Sequence, residues 1–396
     1  MRRILLLLLV AIAALLGGVW LGGHHATSLP GPLKSVAGGD APEQVVREAI
    51  DRVHRTYYRK VPRSTLADNA IAGVVSKLQD RFSNYFTPAE YRRFKDTQDS
   101  RFTGVGVTVS QDPLGLRIAQ VFDGTPAKRA RVVAGDLFVA VDGKSIKGLS
   151  REVSTARIKG PEGSDVVLTI QHRGKRRTVR MTRARVSVPV VASAIRTGCG
   201  RKIGVVALSQ FSSGAHAEVY AALKRLKARG AQRFVFDLRG NGGGLVTEAQ
   251  LIASAFLADG KIVTTRGRDV PERTLQATGA PVIPKAPLAV LVDRYTASAS
   301  EIVTGALQDR KRATVVGTRT FGKGVFQEVI ELSNGGALDI TAGQYFLPSG
   351  RNLGGSGVRT GAGIKPDVAA KDDSATLRDE GLRAALDVVG GCAPRA

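Results

Sequence analysis

Between residues 202 and 368, short apolar segments alternate with segments of helical periodicity, and this pattern most constrains the fold of the chain. The apolar segments lack regular polar positions, which is typical of strands buried on both faces of a sheet. They are Ile203–Leu208, Arg233–Leu238, Leu288–Val292 and Ala313–Val316. The helical segments between them are Ala215–Arg229, Val246–Phe256 and Ala299–Asp309. The alternation predicts an α/β core.

The 396 residues exceed what one compact domain usually contains, and the pattern changes along the chain. Residues 42–98 have helical periodicity. Residues 99–186 are rich in short β-type runs, with a turn signal at Asp142–Gly143 and one helix at Ser150–Ile158. The core covers residues 187–370, and residues 371–396 form a tail with a helix at Ser374–Val389. The predicted fold class is therefore α/β and multidomain.

One helix start is predicted inside the helical segment. Thr87 suits an N-cap, Pro88 the first helical position and Glu90 an acidic first turn. A helix is therefore expected to begin at residue 88.

The first 26 residues carry an uncharged apolar run, Ile4–Leu21, directly after Arg2 and Arg3. A helix of that length spans about 27 Å, close to the thickness of the bilayer hydrocarbon. The two arginines predict a cytoplasmic N-terminus, with the rest of the chain outside. Residues 1–26 are therefore predicted to be a transmembrane signal anchor, followed by a linker at 27–41. A cleaved signal peptide is the alternative, and both imply export.

The chain has a formal net charge of +24, with 58 Lys and Arg against 34 Asp and Glu. Such a surplus attracts anionic surfaces, but the sequence has no zinc-finger spacing, RRM signature or basic region joined to heptads, so no nucleic-acid partner is predicted. The histidines are scattered and no H-E-x-x-H motif occurs, so no metal or other cofactor is predicted. Cys199 and Cys392 can form a disulfide outside the cytoplasm, and whether they meet is left open.

Several stretches, in a fixed order, resemble the carboxyl-terminal processing (tail-specific) peptidase family of serine proteases. In the core they are Asp237–Gly244, Thr296–Ile302 with Gly305–Asp309, Gly317–Gly324 with Gln327, and Gly363–Val368. In the β-rich segment Phe102–Val107, Thr125–Ala127 and Ala134–Asp136 resemble the PDZ domain of that family. The resemblance covers residues 44 to 370. It implies a PDZ-like domain at 99–186 and a crotonase-like spiral protease core.

The resemblance also implies a set of catalytic residues. Ser298 matches the nucleophile, Lys323 its general base and Gln327 the residue that orients the base. Asp309 matches a position that some members of the family need.

The backbone amides of Gly243 and Ala299 match the oxyanion hole of the family. The sequence departs from the family at Gly240 and Gly242, which replace the Asn and Pro of the DLRNNPGG motif. We therefore expect a more flexible loop at this position.

The residues alone point to similar chemistry. A serine hydroxyl needs a base to remove its proton, and of the five histidines only His216 lies in the α/β core. A surface position on a helix is the simpler interpretation of His216. Burial lowers the pKa of a lysine, and Lys323 lies between two glycines with Phe321 and Val325 nearby. A solvated surface position is the simpler interpretation of a single lysine, and the surrounding motif is what makes a Ser-Lys pair the preferred hypothesis.

The PDZ-like segment has its own predicted site. A peptide tail adds to an exposed sheet edge as a strand, and its terminal carboxylate binds a cluster of backbone amides. Thr103, Gly104, Val105 and Gly106 are predicted to supply that cluster.

The sequence thus predicts a bacterial serine endopeptidase on the cell membrane, with a single-pass anchor and its catalytic part outside the cytoplasm. Its partners would be proteins or peptides with accessible C-termini, the membrane through the N-terminal helix, and a second copy in a homodimer. The alternative is a non-catalytic, membrane-tethered PDZ scaffold on a protease fold. A crotonase-like acyl-CoA enzyme is a third hypothesis, because function is set by the site and not by the fold.

Overall fold

The computed structural model describes residues 41–392, apart from residues 356, 374 and 377. The chain divides into two compact units, residues 1–85 and 86–396. The predicted membrane helix at 1–26 and nearly all of the linker at 27–41 lie outside the described residues. Within the described part of the chain, no helix is both long enough and apolar enough to span a membrane.

The first unit contains two helices, α1 (Ala41–Thr56) and α2 (Arg63–Ser76), which contact each other. Three valines of α1 remain largely exposed: Val45 at 63%, Val46 at 52% and Val53 at 42%. The apolar spacing that predicted a helix here is confirmed, but its apolar residues are not covered within this unit.

A short strand, β1 (Asn84–Phe86), precedes helix α3 (Pro88–Gln98). The start of α3 is the predicted one. Thr87 is the N-cap, its side chain accepts a hydrogen bond from the Glu90 N–H, and Glu90 accepts one from the Thr87 N–H. This reciprocal pair satisfies two amides that a helix start otherwise leaves without partners.

Residues 101–187 form the β-rich domain. Its strands are β2 (Arg101–Gly104), β3 (Val107–Asp112), β4 (Gly115–Val121), β5 (Leu137–Val141), β6 (Lys144–Ser145), β7 (Asp165–His172), β8 (Lys175–Thr182) and β9 (Ala184–Ser187). The main sheet has the order β3-β4-β5-β7-β8, so β3 lies at one edge, and β2 pairs with β9. Two helices, α4 (Pro126–Arg129) and α5 (Arg151–Ile158), complete the domain, whose own core includes Phe138, Ile146 and Leu168.

The α/β core is built on a six-stranded sheet with the order β10-β11-β12-β15-β16-β19. Its strands are β10 (Val191–Gly198), β11 (Arg201–Leu208), β12 (Arg233–Asp237), β15 (Leu288–Val292), β16 (Thr314–Gly317) and β19 (Val368–Ala369). All neighbours are parallel except β10 and β11, which form an antiparallel hairpin. The four predicted apolar strands are confirmed as β11, β12, β15 and β16.

Helices cover both faces of this sheet. Helices α6 (Ala215–Ala228), α7 (Val246–Ser254) and α8 (Ala299–Asp309) share one apolar cluster, which includes Phe236 and Val290. Helix α9 (Glu380–Gly390) covers the opposite face, where Ala385 and Val389 pack with Leu291 and Val316. A smaller sheet adjoins the core and contains β13 (Lys261–Gly267), β14 (Arg273–Gln276), β17 (Val325–Glu331) and β18 (Ala337–Phe346).

The predicted start of the last helix is wrong. Helix α9 begins at Glu380, six residues after the predicted Ser374, because Asp379 is its N-cap and accepts a hydrogen bond from the Leu382 N–H. Asp379 also binds the Arg239 guanidinium through both carboxylate oxygens, at 2.8 and 2.9 Å. This ion pair fixes the start of α9 against the loop that follows β12.

Cys199 and Cys392 form a disulfide that joins the β10–β11 turn to the second residue after α9. The question that the sequence left open is therefore answered by the fold. The bond closes a loop with a sequence separation of 193 residues.

We expect the double variant Cys199→Ser/Cys392→Ser to lose about 2–5 kcal/mol of unfolding free energy, because the long loop is no longer closed in the unfolded chain. Urea unfolding, followed by far-UV circular dichroism, measures this loss of unfolding free energy. Reduction of the parent protein should give the same shift and leave the double variant unchanged. If reductant leaves the unfolding midpoint of the parent unchanged, the disulfide is not present in the protein.

Candidate active site

Three loops meet at one edge of the core sheet. They follow the carboxyl ends of β12, β15 and β16, and parallel neighbours in one sheet place these ends on the same side. The first loop carries the glycine-rich stretch, the second Ser298 and the third Lys323. The fold therefore brings three of the four core motifs named above to one place.

Ser298 lies in a strained turn between β15 and α8. Its backbone has φ +56° and ψ −119°, a region that non-glycine residues rarely adopt and that costs about 1–3 kcal/mol. Two hydrogen bonds hold the turn: Ala297 N–H donates to the Asn241 carbonyl at 3.0 Å, and Ser298 N–H donates to Glu301 Oε2 at 2.9 Å. A sharp strand–helix turn of this kind presents a nucleophile, although the G-x-S-x-G motif is absent.

Ala299 is the first residue of α8 and is fully buried. Its N–H donates to no group of the residues described here, as is general for the first amides of a helix. The helix dipole adds partial positive charge at this end. The amide is therefore suited to bind a developing negative charge beside Ser298.

The side chain of Lys323 is held by Gln327. Its Nζ donates to Gln327 Oε1 at 2.6 Å, and Gln327 Nε2 donates to Thr341 Oγ1 of β18 at 3.0 Å. Gln327 lies on β17, four residues after the lysine. The structure thus brings the predicted lysine and glutamine together. Thr341 was not predicted, because only the β17–β18 pairing brings it to this site.

Glu301 joins the serine turn to the lysine loop. It is fully buried, and its two oxygens accept four hydrogen bonds. Oε1 accepts from Thr320 Oγ1 at 2.6 Å and Gly322 N–H at 2.8 Å, and Oε2 from Ser298 N–H at 2.9 Å and Lys323 N–H at 3.0 Å. Because Ser298 N and Lys323 N bond the same oxygen atom, the backbones of the two residues are neighbours.

Burial raises the pKa of the Glu301 carboxyl, while its four hydrogen bonds act in the opposite direction. Each of these donors needs a lone pair of the ionised carboxylate, and a protonated acid would leave one of them without an acceptor. Glu301 lies three residues after Ser298, the position from which a side chain caps the start of a helix. Its link to residues 320–323 depends on the fold and has no local signal.

We expect Glu301→Gln to reduce cleavage at least about 100-fold and to lower the unfolding free energy by about 2–4 kcal/mol, because an NH₂ group would face two N–H donors in a buried place. Steady-state cleavage and urea unfolding measure the two effects. Glu328→Gln, at an exposed position of β17, is the matched control and should behave like the parent. Parent-like cleavage by Glu301→Gln would show that the bridge is dispensable.

The glycine-rich loop lies directly against Ser298. A Cβ added to Gly243, whose φ is +104°, would lie 2.8 Å from Ser298 Cβ and 2.9 Å from Ala299 N. Gly243 N–H already donates to Asn241 Oδ1 at 2.9 Å, so this predicted oxyanion donor has an acceptor within the protein. The next amide, Gly244 N–H, donates to no group among residues that the structure describes. The Gly242 N–H likewise donates to no described group, so Gly242 and Gly244 carry the amides of this loop that are available to a ligand, and Gly244 directly follows the glycine that lies against Ser298.

The two glycines that depart from the family motif do not leave the loop without support. Gly240 N–H donates to both oxygens of Asp293 at 3.1 Å. Gly240 has φ +68°, a value that glycine adopts without strain and asparagine also tolerates. A Cβ at Gly242 would meet nothing within 4 Å.

Asp309 does not reach the reacting atoms. Ser298 precedes the first residue of α8 and Asp309 is the last of its 11 residues, so the two lie about 16 Å apart along the helix. Asp309 instead binds Arg351 at 2.9 Å and accepts from Ser349 N–H at 3.0 Å. The prediction that Asp309 is a catalytic residue beside Ser298 and Lys323 is therefore corrected. Eleven residues of one helix place Asp309 at the opposite end of α8 from Ser298.

His216 lies near the start of α6 and is bound to another acid. Its Nδ1 is 2.9 Å from Glu248 Oε2, and the same oxygen accepts from the His216 N–H at 2.8 Å. This pair links α6 to α7, which supports the structural interpretation of the histidine.

The predicted tail-binding residues divide into two pairs. Thr103 and Gly104 are paired with Arg185 and Ala184 in the β2–β9 ladder. The N–H groups of Val105 and Gly106 donate to no group in the described chain, while their carbonyls accept from Ala127 and Phe122. Two adjacent amides at the start of edge strand β3 therefore remain available to a carboxylate.

Comparison with known proteins agrees with this arrangement. The family model described as Peptidase family S41 matches residues 202–370, and the PDZ domain model matches residues 103–182. The chain is 34% identical over 330 residues to the carboxy-terminal-processing protease of Bartonella bacilliformis, covering 82% of this chain and 74% of the relative. It is 33% identical over 327 residues to the carboxyl-terminal-processing protease of Picosynechococcus sp., covering 82% and 79%.

A solved structure shows the same likeness. The photosystem II D1 C-terminal processing protease is 28% identical, with a TM-score of 0.50 over 89% of this chain and 98% of that chain. The motifs, the convergence of their loops and these similarities agree. The chain therefore belongs to peptidase family S41 and is a serine peptidase of the carboxyl-terminal-processing type with a PDZ domain.

Proposed function

We propose that the protein is an endopeptidase that binds the C-terminal tails of its substrates through the PDZ domain and cuts them with a Ser298–Lys323 pair. The observation that carries the proposal is the shared carboxylate of Glu301, which bonds the backbone of both residues. The bond from Lys323 Nζ to Gln327 adds support, because it orients the amine.

In the proposed acylation step, neutral Lys323 Nζ accepts the proton of the Ser298 hydroxyl as Oγ attacks the scissile carbonyl carbon. The carbonyl oxygen becomes an oxyanion, which the N–H groups of Ala299 and Gly244 stabilise. The Lys323 ammonium then gives its proton to the leaving amine, and the C–N bond breaks. This leaves an ester on Ser298 and a neutral lysine.

Deacylation repeats the sequence with water. Lys323 accepts a proton from the water, whose oxygen attacks the ester carbon, and then returns the proton to Ser298 Oγ. Each donor of an oxyanion hole typically contributes about 100- to 1,000-fold in rate. The strained Ser298 backbone and the buried Glu301 keep the reacting groups in place before substrate binds.

Tail recognition is assigned to the PDZ domain. The substrate would extend along β3, and its terminal carboxylate would accept from the N–H groups of Val105 and Gly106. A scaffold without catalysis is not favoured, because Ser298, Lys323 and Gln327 are all present at one site.

We expect a reporter with a free C-terminus to be cut with a kcat/KM at least about tenfold above that of the same reporter with a C-terminal amide, since the amide removes the charge that the two N–H groups bind. Full-length protein in detergent and an unstructured reporter with an apolar tail are suitable. If kcat/KM is the same for both reporters, the PDZ domain does not bind the substrate's terminal carboxylate. If the protein cuts neither reporter, the proposed peptidase activity is contradicted.

Export and membrane anchoring also belong to the proposal. The apolar run at 4–21 after two arginines supports a single-pass anchor in a bacterial cell membrane, with the catalytic part outside. The Cys199–Cys392 disulfide is in keeping with an oxidising compartment. The exposed valines of α1 support a homodimer through that helix, which light scattering of the purified protein would test.

A further inference from the structure

Asn241 lies at the centre of the three segments around Ser298 and is fully buried. Its side chain donates from Nδ2 to the Leu208 carbonyl at the end of β11, at 2.9 Å, and accepts the Gly243 N–H at Oδ1, also at 2.9 Å. Its own carbonyl accepts from Ala297 N–H and from Ser300 Oγ, both at 3.0 Å. One residue thus connects β11, the glycine loop and the turn that carries the nucleophile.

The hydrogen bond between Asn241 and a glycine two residues later is a local turn that also occurs elsewhere in the chain. Asn334 and Asn352 also accept, each at 2.9 Å, the N–H of a glycine two residues further along the chain. Asn334 is exposed, at the tip of the β17–β18 hairpin. The Asn-x-Gly turn therefore occurs three times in the described chain. Asn241 differs from the other two asparagines because it is completely buried and contacts Ala297 and Ser300.

Asn241 and Phe211 together set the direction of the loop amides. Asn241 Oδ1 fixes the peptide between Gly242 and Gly243, and Phe211 N–H, which donates to the Gly243 carbonyl at 2.9 Å, fixes the next peptide. In a trans peptide, N–H and C=O point in opposite directions, so the Gly244 N–H points away from Phe211. Gly243 itself lies against Ser298 and Ala299.

We propose that Asn241 is a positioning residue for the oxyanion hole. It holds Gly243 N–H so that Gly244 N–H, with Ala299 N–H, is left to bind the oxyanion. It does not touch the substrate and acts only through the loop. This inference rests on the proposed acyl transfer at Ser298 and adds to it a specific support for the transition state.

The test compares Asn241→Ala with Asn334→Ala, which removes the same local hydrogen bond at the hairpin tip. We expect Asn241→Ala to lower kcat about 100-fold, the loss typical of one oxyanion donor, with KM within about threefold of the parent. Asn334→Ala should retain the parent kcat. Active-site titration with a fluorophosphonate normalises each rate to the folded, competent enzyme.

A peptide boronate supplies a readout that a purely structural role would not change. Its tetrahedral adduct with Ser298 places an oxygen in the oxyanion hole, so its affinity should fall by the same factor as kcat/KM. The affinity of an uncut tail peptide, measured in a Ser298→Ala background, should not change. If Asn241→Ala does not fold, Asn241→Ser is the second variant: its shorter side chain holds the Gly243 N–H only weakly, and its kcat should fall at least about tenfold.

Two results would overturn the inference: a folded Asn241 variant with kcat within threefold of the parent, or a fall in kcat that leaves boronate affinity unchanged. Failure of the proposed function would be seen separately, in the parent protein. If the parent neither cuts the reporter nor reacts with the boronate, the proposed acyl transfer is wrong, and this is known before any variant is compared.

Discussion

Replacing Ser298 with alanine is expected to lower kcat by about 10⁴-fold or more, because no other group at the site can form the acyl-enzyme. Lys323→Arg should be nearly as inactive. Arginine keeps the positive charge and can still donate to Gln327, but it does not lose its proton in proteins and so cannot act as a base. Cleavage of the free-tail reporter by full-length protein measures both losses.

The controls separate chemistry from folding. Both variants should bind the uncut tail peptide and unfold at the parent midpoint, because neither residue is part of the apolar core. Lys261→Ala, at the exposed start of β13, should cut like the parent. If Lys323→Arg cuts at the parent rate, the lysine is not the base, and His216 becomes the next residue to test.

The second large effect is expected at Gly243. An alanine there would force its methyl group to within 2.8 Å of the Ala297 carbonyl and Ser298 Cβ, and 2.9 Å of Ala299 N, at a φ of +104° that alanine rarely adopts. These contacts are shorter than side chains allow, and the first two atoms belong to the turn that carries the nucleophile. We expect Gly243→Ala to lower kcat at least about 1,000-fold, because both the serine and the oxyanion amides would move.

Gly242→Ala provides the matched control for this prediction. It adds the same methyl group one residue earlier, where nothing lies within 4 Å and where no positive φ is required. Its kcat should stay within a few-fold of the parent. Similar losses at both positions would mean that loop flexibility, rather than the close approach to Ser298, explains the effect at Gly243.

The core strands and helix α8 could be predicted because their signals are local. β15 is buried along its whole length, so its sequence is apolar without interruption, and α8 keeps its predicted bounds. β17 and β18 escaped prediction, because both are mostly half-buried or exposed and show no regular alternation. Their pairing nevertheless places Thr341 beside Gln327.

At the site, the serine, lysine and glutamine could be named from motif order, whereas the groups that hold them could not. Glu301, Thr320 and Asn241 are polar residues whose burial depends on loops from different strands. A sequence pattern shows which residues are polar but not which of them meet. Asp309 is a different case: the predicted bounds of α8 already put it at the far end of the helix from Ser298, and only the motif grouped it with the catalytic residues.

The Cys199–Cys392 bond makes the catalytic core a covalent ring, since it joins the turn after β10 to the second residue after α9. The backbone between these cysteines contains the nucleophile, the base and every loop of the site. If the enzyme cuts itself once inside that ring, the two fragments stay joined and migrate in a non-reducing gel close to the uncut chain. Self-cleavage would become visible as separate bands only after reduction, so a preparation judged intact without reductant can already be nicked.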